Sequence, residues 1–502
     1  METPTMGLVA LISSSLLFFL TFRQSQQKQT RFALLLIILG GLVLRCFVAA
    51  DPFLHEWDER YHALVAKNMV DAPLKPTLYK NPVLPYNYKH WTSNHVWVHK
   101  QPLPLWIMAS SFKAFGVYLW SLRLPSVILS TLAIWLTFYI GRFYLNDKLA
   151  LLAAFLHAIH GLIIELTGGR VATDHYDVFF LFFIELGIFF TICYVQSHQK
   201  RVLYSVLIGC AIAAAILTKW LPALIAFPIW FCLSLHHRVP WIQIIRDTSI
   251  ALLVVIGLAL PWQYHVFTHF PLEANWEYLY NVKHLSAALE EHGEPWYYHL
   301  NKIRMSYGEL IYFALLWYLI RTFTFGKRLN YKRVSLICWI FIPIIFFSLA
   351  KTKMQAYTLF IAPALFLVTA LFWRTLRLNR RLLIKHSNKL AFFVFSLLLV
   401  GLPIRYSLER IKPLAKVMAP AWVTEVKKIR FEIKESNAIL FNTNRPIESL
   451  FHSDLVAAYP FLPEKEAIIS LKKKGYKLYA YDEAQKIVPL TDAVWIRLYQ
   501  DR

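Results

Sequence analysis

Apolar residues run through this 502-residue chain in stretches of about 15–20, the length a helix needs to cross a hydrocarbon core roughly 30 Å thick. Twelve membrane-spanning helices are predicted, at about 7–22, 32–50, 121–141, 149–165, 177–195, 203–218, 221–235, 249–266, 308–321, 334–350, 356–373 and 390–405. Alternation of the spans puts both termini on the outer face. Two longer external intervals interrupt the pattern, at about 51–120 and 267–304. In the first, Trp57, Tyr61, Leu64, Val65 and Met69 recur near helical spacing, which predicts a helix lying on the membrane surface. Beyond residue 405 the chain turns polar. Strands are predicted at Ala438–Phe441, Lys477–Tyr481 and Val494–Leu498, and a helix at Glu464–Lys474 that Gly475 would terminate. The pattern therefore predicts an all-α polytopic membrane domain over 1–405 and a small external α/β domain over 406–502.

Composition agrees with this reading: 57% of residues are hydrophobic and 17% charged, against roughly 25% charged in soluble domains. The formal net charge of +23 changes meaning once it is located. Basic residues gather in alternate loops (Arg23, Lys28 and Arg31; Lys200 and Arg201; Arg238 and Arg246; Arg321, Lys327, Arg328, Lys332 and Arg333; and from Arg374 to Lys389), which is the positive-inside pattern. With no recognised binding module beside that charge, nucleic acid is not an expected partner. All five cysteines, Cys46, Cys193, Cys210, Cys232 and Cys338, fall within predicted spans, so no external disulfide framework is expected. The first apolar run lacks a basic leader and a clear cleavage site, and is read as a retained helix.

Several external segments carry residues suited to chemistry. Trp57-Asp58-Glu59-Arg60-Tyr61 offers two carboxylates just beyond a span; on pattern alone they are solvated loop acids or a base for an attacking hydroxyl. His99-Lys100-Gln101-Pro102 sets a lysine at the head of an apolar segment, where it can snorkel or meet a lipid phosphate. Arg123 stands at the outer mouth of a span, as an interfacial anchor or an anion contact. Arg170, Asp174 and Asp177 are spaced to pair on one helix face. Lys351 and Lys353, in Lys351-Thr352-Lys353, run against the positive-inside trend, as a pair of exposed anchors or as contacts for an anionic ligand such as a lipid phosphate. His55, His90, His95 and His99 match no metal-ligand spacing.

Taken in order, these segments resemble polyprenyl-phosphate-dependent glycosyltransferases of the GT-C class. The resemblance is to the protein O-mannosyltransferase family (glycosyltransferase family 39) and its bacterial relatives, which include lipid A aminoarabinose transferases. It rests on Trp57 to Tyr61, His99 to Leu103, Leu122-Arg123-Leu124-Pro125-Ser126, Arg170 to Asp174, Leu217-Thr218-Lys219, and Lys351 to Lys353 with Tyr357. It covers roughly residues 32–375, and order and common outer placement carry more weight than any single short motif.

The resemblance implies an inverting enzyme. It would move a sugar from a polyprenyl-phosphate donor to an acceptor (protein, lipid A or another glycan) on the outer face of the membrane. Asp58 would be the catalytic base or an acceptor-orienting carboxylate, supported by Glu59. Lys100 and Arg123 would bind the donor phosphate, with Lys351 and Lys353 as further phosphate contacts, and His99, Arg170, Asp174 and His284 would complete the candidate site. No cofactor is required by this chemistry. A divalent metal stays open, because some relatives carry a metal-ligating acid where this chain has His99, and His284 matches a partnering histidine. The expected location is a bacterial inner membrane with the site facing the periplasm. Two rival readings are a transporter or flippase of lipid-linked saccharides and a non-catalytic assembly subunit.

Overall fold

The computed structural model describes residues 3–324, 329–379, 387–415 and 419–500; the inner-loop bases Lys327, Arg328, Arg380, Arg381 and Lys385 lie outside them. The chain forms two compact units. One comprises residues 1–51, 123–266 and 278–416, and the other 52–122, 267–277 and 417–502.

The first unit is helical, and each of the twelve apolar runs falls on one helix or on two consecutive helical segments. Among the described residues, eight helices are long and apolar enough to cross a membrane, or nine if a pair bent by 50° is one span. Leu221–His236 and Ile311–Phe323 are shorter apolar helices, and Ser387–Ile411 covers the last run. Small residues let helices close on one another, as expected where lipid gives no hydrophobic drive to association. Ala150, Ala154 and Ala158 pack with Ile37, Ile134 and Phe138 in one such core. A Cβ on Gly209 would lie 2.7 Å from the Ala251 carbonyl oxygen of the neighbouring helix.

The bent pair, Asp147–Ala158 and Gly161–Thr167, explains a fully buried arginine. Breaking a helix releases carbonyls that its interior would have satisfied. Arg45 donates from Nη1 to the Ala158 and Gly41 oxygens, both at 3.0 Å, and from Nε to Ser130 Oγ at 3.0 Å.

The second unit contains a four-stranded sheet in the order β2-β1-β3-β4, with β1 Ala438–Phe441, β2 Ala457–Ala458, β3 Lys477–Tyr481 and β4 Ile487–Pro489. β1 runs parallel to β2 and β3, and β4 is antiparallel to β3. β1 is buried at every position, which is why it reads as an unbroken apolar run. Helix Lys465–Lys473 ends before Gly475, whose φ is +82°.

The predicted strand at Val494–Leu498 is a helix, Asp492–Gln500. Its alternation of Val494, Ile496 and Leu498 suits a strand, but Thr491 Oγ1 accepts from the Val494 amide at 3.3 Å and caps a helical turn. β2 and β4, of two and three residues, are too short to leave a periodic signature.

Within this unit helix Asp58–Met69 is bound to the segment that follows β1. Arg60 Nη1 reaches Glu448 Oε1 at 3.1 Å, and Arg445 bridges Glu448 at 3.5 Å and Glu56 at 2.7 Å. Lys67 Nζ donates to the Leu450, Phe451 and Ser453 oxygens at 2.9, 3.0 and 2.9 Å, closing the C-terminus of helix Pro446–His452 where its dipole is negative. Tyr79 donates to the Ala458 oxygen at 3.0 Å and stacks on Tyr459. Glu448 is fully buried, whereas Arg60 and Arg445 keep 23% and 26% of their side-chain surface in water. Glu448→Ala is therefore expected to destabilise this unit by about 3 kcal/mol, the lower edge for a broken buried pair. Denaturant midpoints of parent and variant check it; an unchanged midpoint would refute the role.

Candidate active site

Asp58 is the first residue of its helix, where an N-terminal dipole favours a carboxylate. Lys100 lies just ahead of helix Pro102–Phe115, which opens with Gln101 as its cap residue and a proline at its first position. The two starts converge: Lys100 Nζ is 3.6 Å from Asp58 Oδ2, with 27% and 16% of the side chains exposed. An ammonium near a helix N-terminus and partly open to solvent is suited to meeting an anion.

Glu59 does not face outward with Asp58. It is fully buried and accepts the His55 amide at 2.7 Å on Oε2, fixing the turn that presents Asp58. His99 is locked from three sides. Its Nδ1 lies 3.0 Å from Glu277 Oε2, its ring stacks on Trp91 at 4.5 Å, and Trp97 meets it edge-on at 5.7 Å. Glu277, itself buried, orients the residue before Lys100, and no pattern in the sequence singles it out.

The remaining predicted residues belong to the helical unit. Arg123 is fully buried, and its Nη1 donates to the Ala49 and Asp51 oxygens at 3.2 and 2.5 Å, just past helix Thr30–Ala49. Arg170 grips Asp51 in a two-toothed pair, Nε to Oδ2 at 2.7 Å and Nη2 to Oδ1 at 2.9 Å, and donates from Nη1 to the Ile411 oxygen at 2.7 Å. Asp51, which composition did not single out, is thus where Arg123 and Arg170 meet. Asp174 is fully buried and begins helix Asp174–Gln196, its Oδ1 accepting the Tyr176 amide at 3.3 Å.

One turn on, Asp177 pairs with Lys219, whose ammonium sits 4.8 Å over the Tyr357 ring. Thr173, Asp174 and Trp220 flank this pair with φ of +70°, +36° and +64°. Left-handed backbone at non-glycine residues costs of order 1–3 kcal/mol each and concentrates where geometry is over-determined.

The structure also brings Lys351, Lys353 and His284 together. The Lys351 and Thr352 amides donate to the Leu285 and His284 oxygens at 3.3 and 3.1 Å, and the Lys353 amide to the His292 oxygen at 3.0 Å. Lys353 is buried, and desolvation with the charge of Lys351 lowers its pKa.

His299, on helix Tyr298–Tyr307, has no exposed surface and neither ring nitrogen has a hydrogen-bond partner. Burial first, and the charge of Lys353 second, push its pKa down to about 4 from 6.5. The unfolded chain binds this proton near pH 6.5 and the folded chain only near 4. The stability present above pH 6.5 is therefore lost as pH falls through that window. The thermal midpoint of the parent is expected to drop between pH 6.5 and 4.5, and that of His299→Phe to drop less; parallel curves would contradict this.

Among the described residues no group of three or more His, Cys, Asp or Glu is disposed to hold a metal ion. His99 is committed to Glu277 in one unit, and His284 Nδ1 lies 2.9 Å from the Tyr280 oxygen in the other.

Residues 99–265 match the family of dolichyl-phosphate-mannose-protein mannosyltransferases. Among curated proteins, an undecaprenyl phosphate-alpha-4-amino-4-deoxy-L-arabinose arabinosyl transferase of Pseudomonas fluorescens is 27% identical over 270 residues, 50% of this chain and 43% of that protein. One from Pseudomonas aeruginosa is 26% identical over 285 residues, 53% of this chain and 49% of that protein. The chain spans about half the length of these curated relatives. Among solved structures, ArnT from Cupriavidus metallidurans bound to undecaprenyl phosphate superposes with a TM-score of 0.62 at 14% identity, covering 90% of this chain and 93% of that one. The archaeal oligosaccharyltransferase AglB from Archaeoglobus fulgidus gives 0.58 at 13% identity, over 92% and 74%. Residues 99–265 thus match the dolichyl-phosphate-mannose-protein mannosyltransferase family, within a chain of GT-C fold that is homologous to the aminoarabinose transferases.

Proposed function

We propose that this protein transfers a sugar from a polyprenyl-phosphate donor to an acceptor on the outer face of a bacterial inner membrane, with inversion at the anomeric carbon. The observation that carries the reading is the Asp58–Lys100 pair, 3.6 Å apart at the starts of two helices and partly open to solvent. In the resting protein Lys100 pairs with Asp58. A donor phosphate draws the Lys100 ammonium to itself, and Asp58 accepts the proton of the attacking hydroxyl. The hydroxyl oxygen bonds to C1, and the C1–O bond to the phosphate breaks with its electron pair leaving on the phosphate. The proton passes to Asp58 and the new negative charge is met by Lys100. Glu59 and His99, held by His55 and Glu277, position this pair.

Within the helical unit, Arg123 and Arg170 act on residues 49–51, which precede the Asp58 segment in the chain. Lys351 and Lys353, in the segment whose amides donate to the 284–292 carbonyls, are proposed donor-phosphate contacts. The relatives named above are undecaprenyl-phosphate sugar transferases, which supports a polyprenyl-phosphate donor.

The test is release of free polyprenyl phosphate from a panel of labelled polyprenyl-phosphate sugars, with and without crude envelope as acceptor. Acceptor-dependent release identifies the donor. Movement of an intact donor across reconstituted vesicles, without release, would replace transfer by lipid-saccharide transport.

A further inference from the structure

From Leu310 to Leu408 the chain contains no aspartate or glutamate but fourteen lysines and arginines. Two of the arginines share one cavity at the basic end of the helical unit. Arg321 closes helix Ile311–Phe323 and Arg333 opens helix Tyr331–Leu349. Together with Trp317 and Ile320 they line an open space of about 350 Å³. That volume falls within the range of sites that hold small ligands, about 300–1,000 Å³.

Among the described residues, no carboxylate pairs with either arginine. Arg321 Nη1 donates to Thr375 Oγ1 at 3.3 Å and its guanidinium lies 5.1 Å from the Trp317 ring centre. Arg333 Nη1 donates to the Arg321 carbonyl oxygen at 3.1 Å. Both sets of partners are neutral. Asp147 is paired with Arg142 at 2.9 Å, and Asp247 with Arg246 at 2.8 Å and Tyr194 at 2.8 Å. Lys332, between them in sequence, turns to the Phe143 carbonyl and ring. Two guanidiniums facing one space repel each other until an anion enters. Their planar forks, each with donors left over, match the oxygens of a phosphate.

The surroundings choose among anions. A tryptophan at the wall and the lipid-facing Phe313 and Leu316 of the same helix, 59% and 57% exposed, put the cavity where acyl chains meet headgroups. Basic pockets between helices on the positive side of a membrane take anionic headgroups. We propose that the Arg321–Arg333 cavity binds the phosphate of an anionic phospholipid of the inner leaflet. The site is independent of the transfer reaction.

The full chain, purified in neutral detergent, is titrated with dioctanoyl phosphatidylglycerol, dioctanoyl phosphatidylcholine and inorganic phosphate, and bound species are counted by native mass spectrometry. The parent is expected to retain phosphatidylglycerol and not phosphatidylcholine. Arg321→Gln/Arg333→Gln should bind phosphatidylglycerol at least about tenfold more weakly. The double lysine variant, which keeps the charge and loses the fork, should fall between them. Lys332→Gln should bind like the parent, because that ammonium is committed to Phe143. Equal retention of both lipids by the parent overturns the proposal, as does unchanged phosphatidylglycerol binding in the glutamine variant. Competition by inorganic phosphate as strong as by the charged lipid would reassign the cavity to free phosphate and overturn it as a lipid site.

Discussion

Asp58→Asn is expected to lower turnover by about three orders of magnitude, within the roughly 10²–10⁴-fold that a positioned general base contributes. Asparagine keeps the size and the helix-initiating role of Asp58 but cannot take the proton of an attacking hydroxyl. Because Lys100 would lose its charged partner at 3.6 Å and stay available to phosphate, donor binding should hold or tighten while turnover falls. That split separates a lost base from a lost fold, which would weaken both. Single-turnover release of polyprenyl phosphate and equilibrium donor binding, measured on the same preparations, decide it. Equal turnover in both proteins would remove Asp58 from the mechanism.

Lys100→Met is expected to have the complementary signature. The apolar stem is retained, so packing at the head of helix Pro102–Phe115 should survive. What disappears is the charge that meets the leaving phosphate, and losing one donor aimed at developing negative charge costs about 10²–10³ in rate. Unlike Asp58→Asn, this change should weaken donor binding as well, because phosphate is anionic before and after transfer. Arginine at position 100 should recover part of the binding and less of the rate, since its fork cannot occupy the place of a compact ammonium. A methionine variant with parental donor affinity would show that the phosphate is held elsewhere.

The spans were legible because a hydrocarbon core demands long unbroken apolar runs, and nothing else in a chain looks like them. β1 was legible for a related reason, being buried and bounded by polar sequence, and β3 is buried at Leu478, Ala480 and Tyr481. Val494–Leu498 was not legible, because five residues fit either period and a single threonine hydroxyl upstream tipped the balance. At the site the residue types could be read, but not their partners. Glu277 is 178 residues from His99, Asp51 is 119 from Arg170, and Lys219 is 42 from Asp177. Nothing local marks Glu277 or Asp51, as each becomes informative only through the cation it faces. Lys219 and Tyr357 did carry a signal, since both stood in segments that supported the family resemblance, and their stacking contact shows what the two segments share.

The bond between Arg60 and Glu448 joins residues 388 positions apart. At synthesis rates of about 5–20 residues per second, the Asp58 helix leaves the ribosome roughly 20–80 s before the carboxylate that anchors it exists. During that interval the helix can insert at the membrane but has no clamp from Glu448, and no seat for Lys67 at the 450–453 carbonyls. A nascent chain is then a membrane protein well before it is a working one. Assembly of the Asp58 helix is timed by the arrival of a distant module, so an interrupted translation product would be inserted yet incomplete.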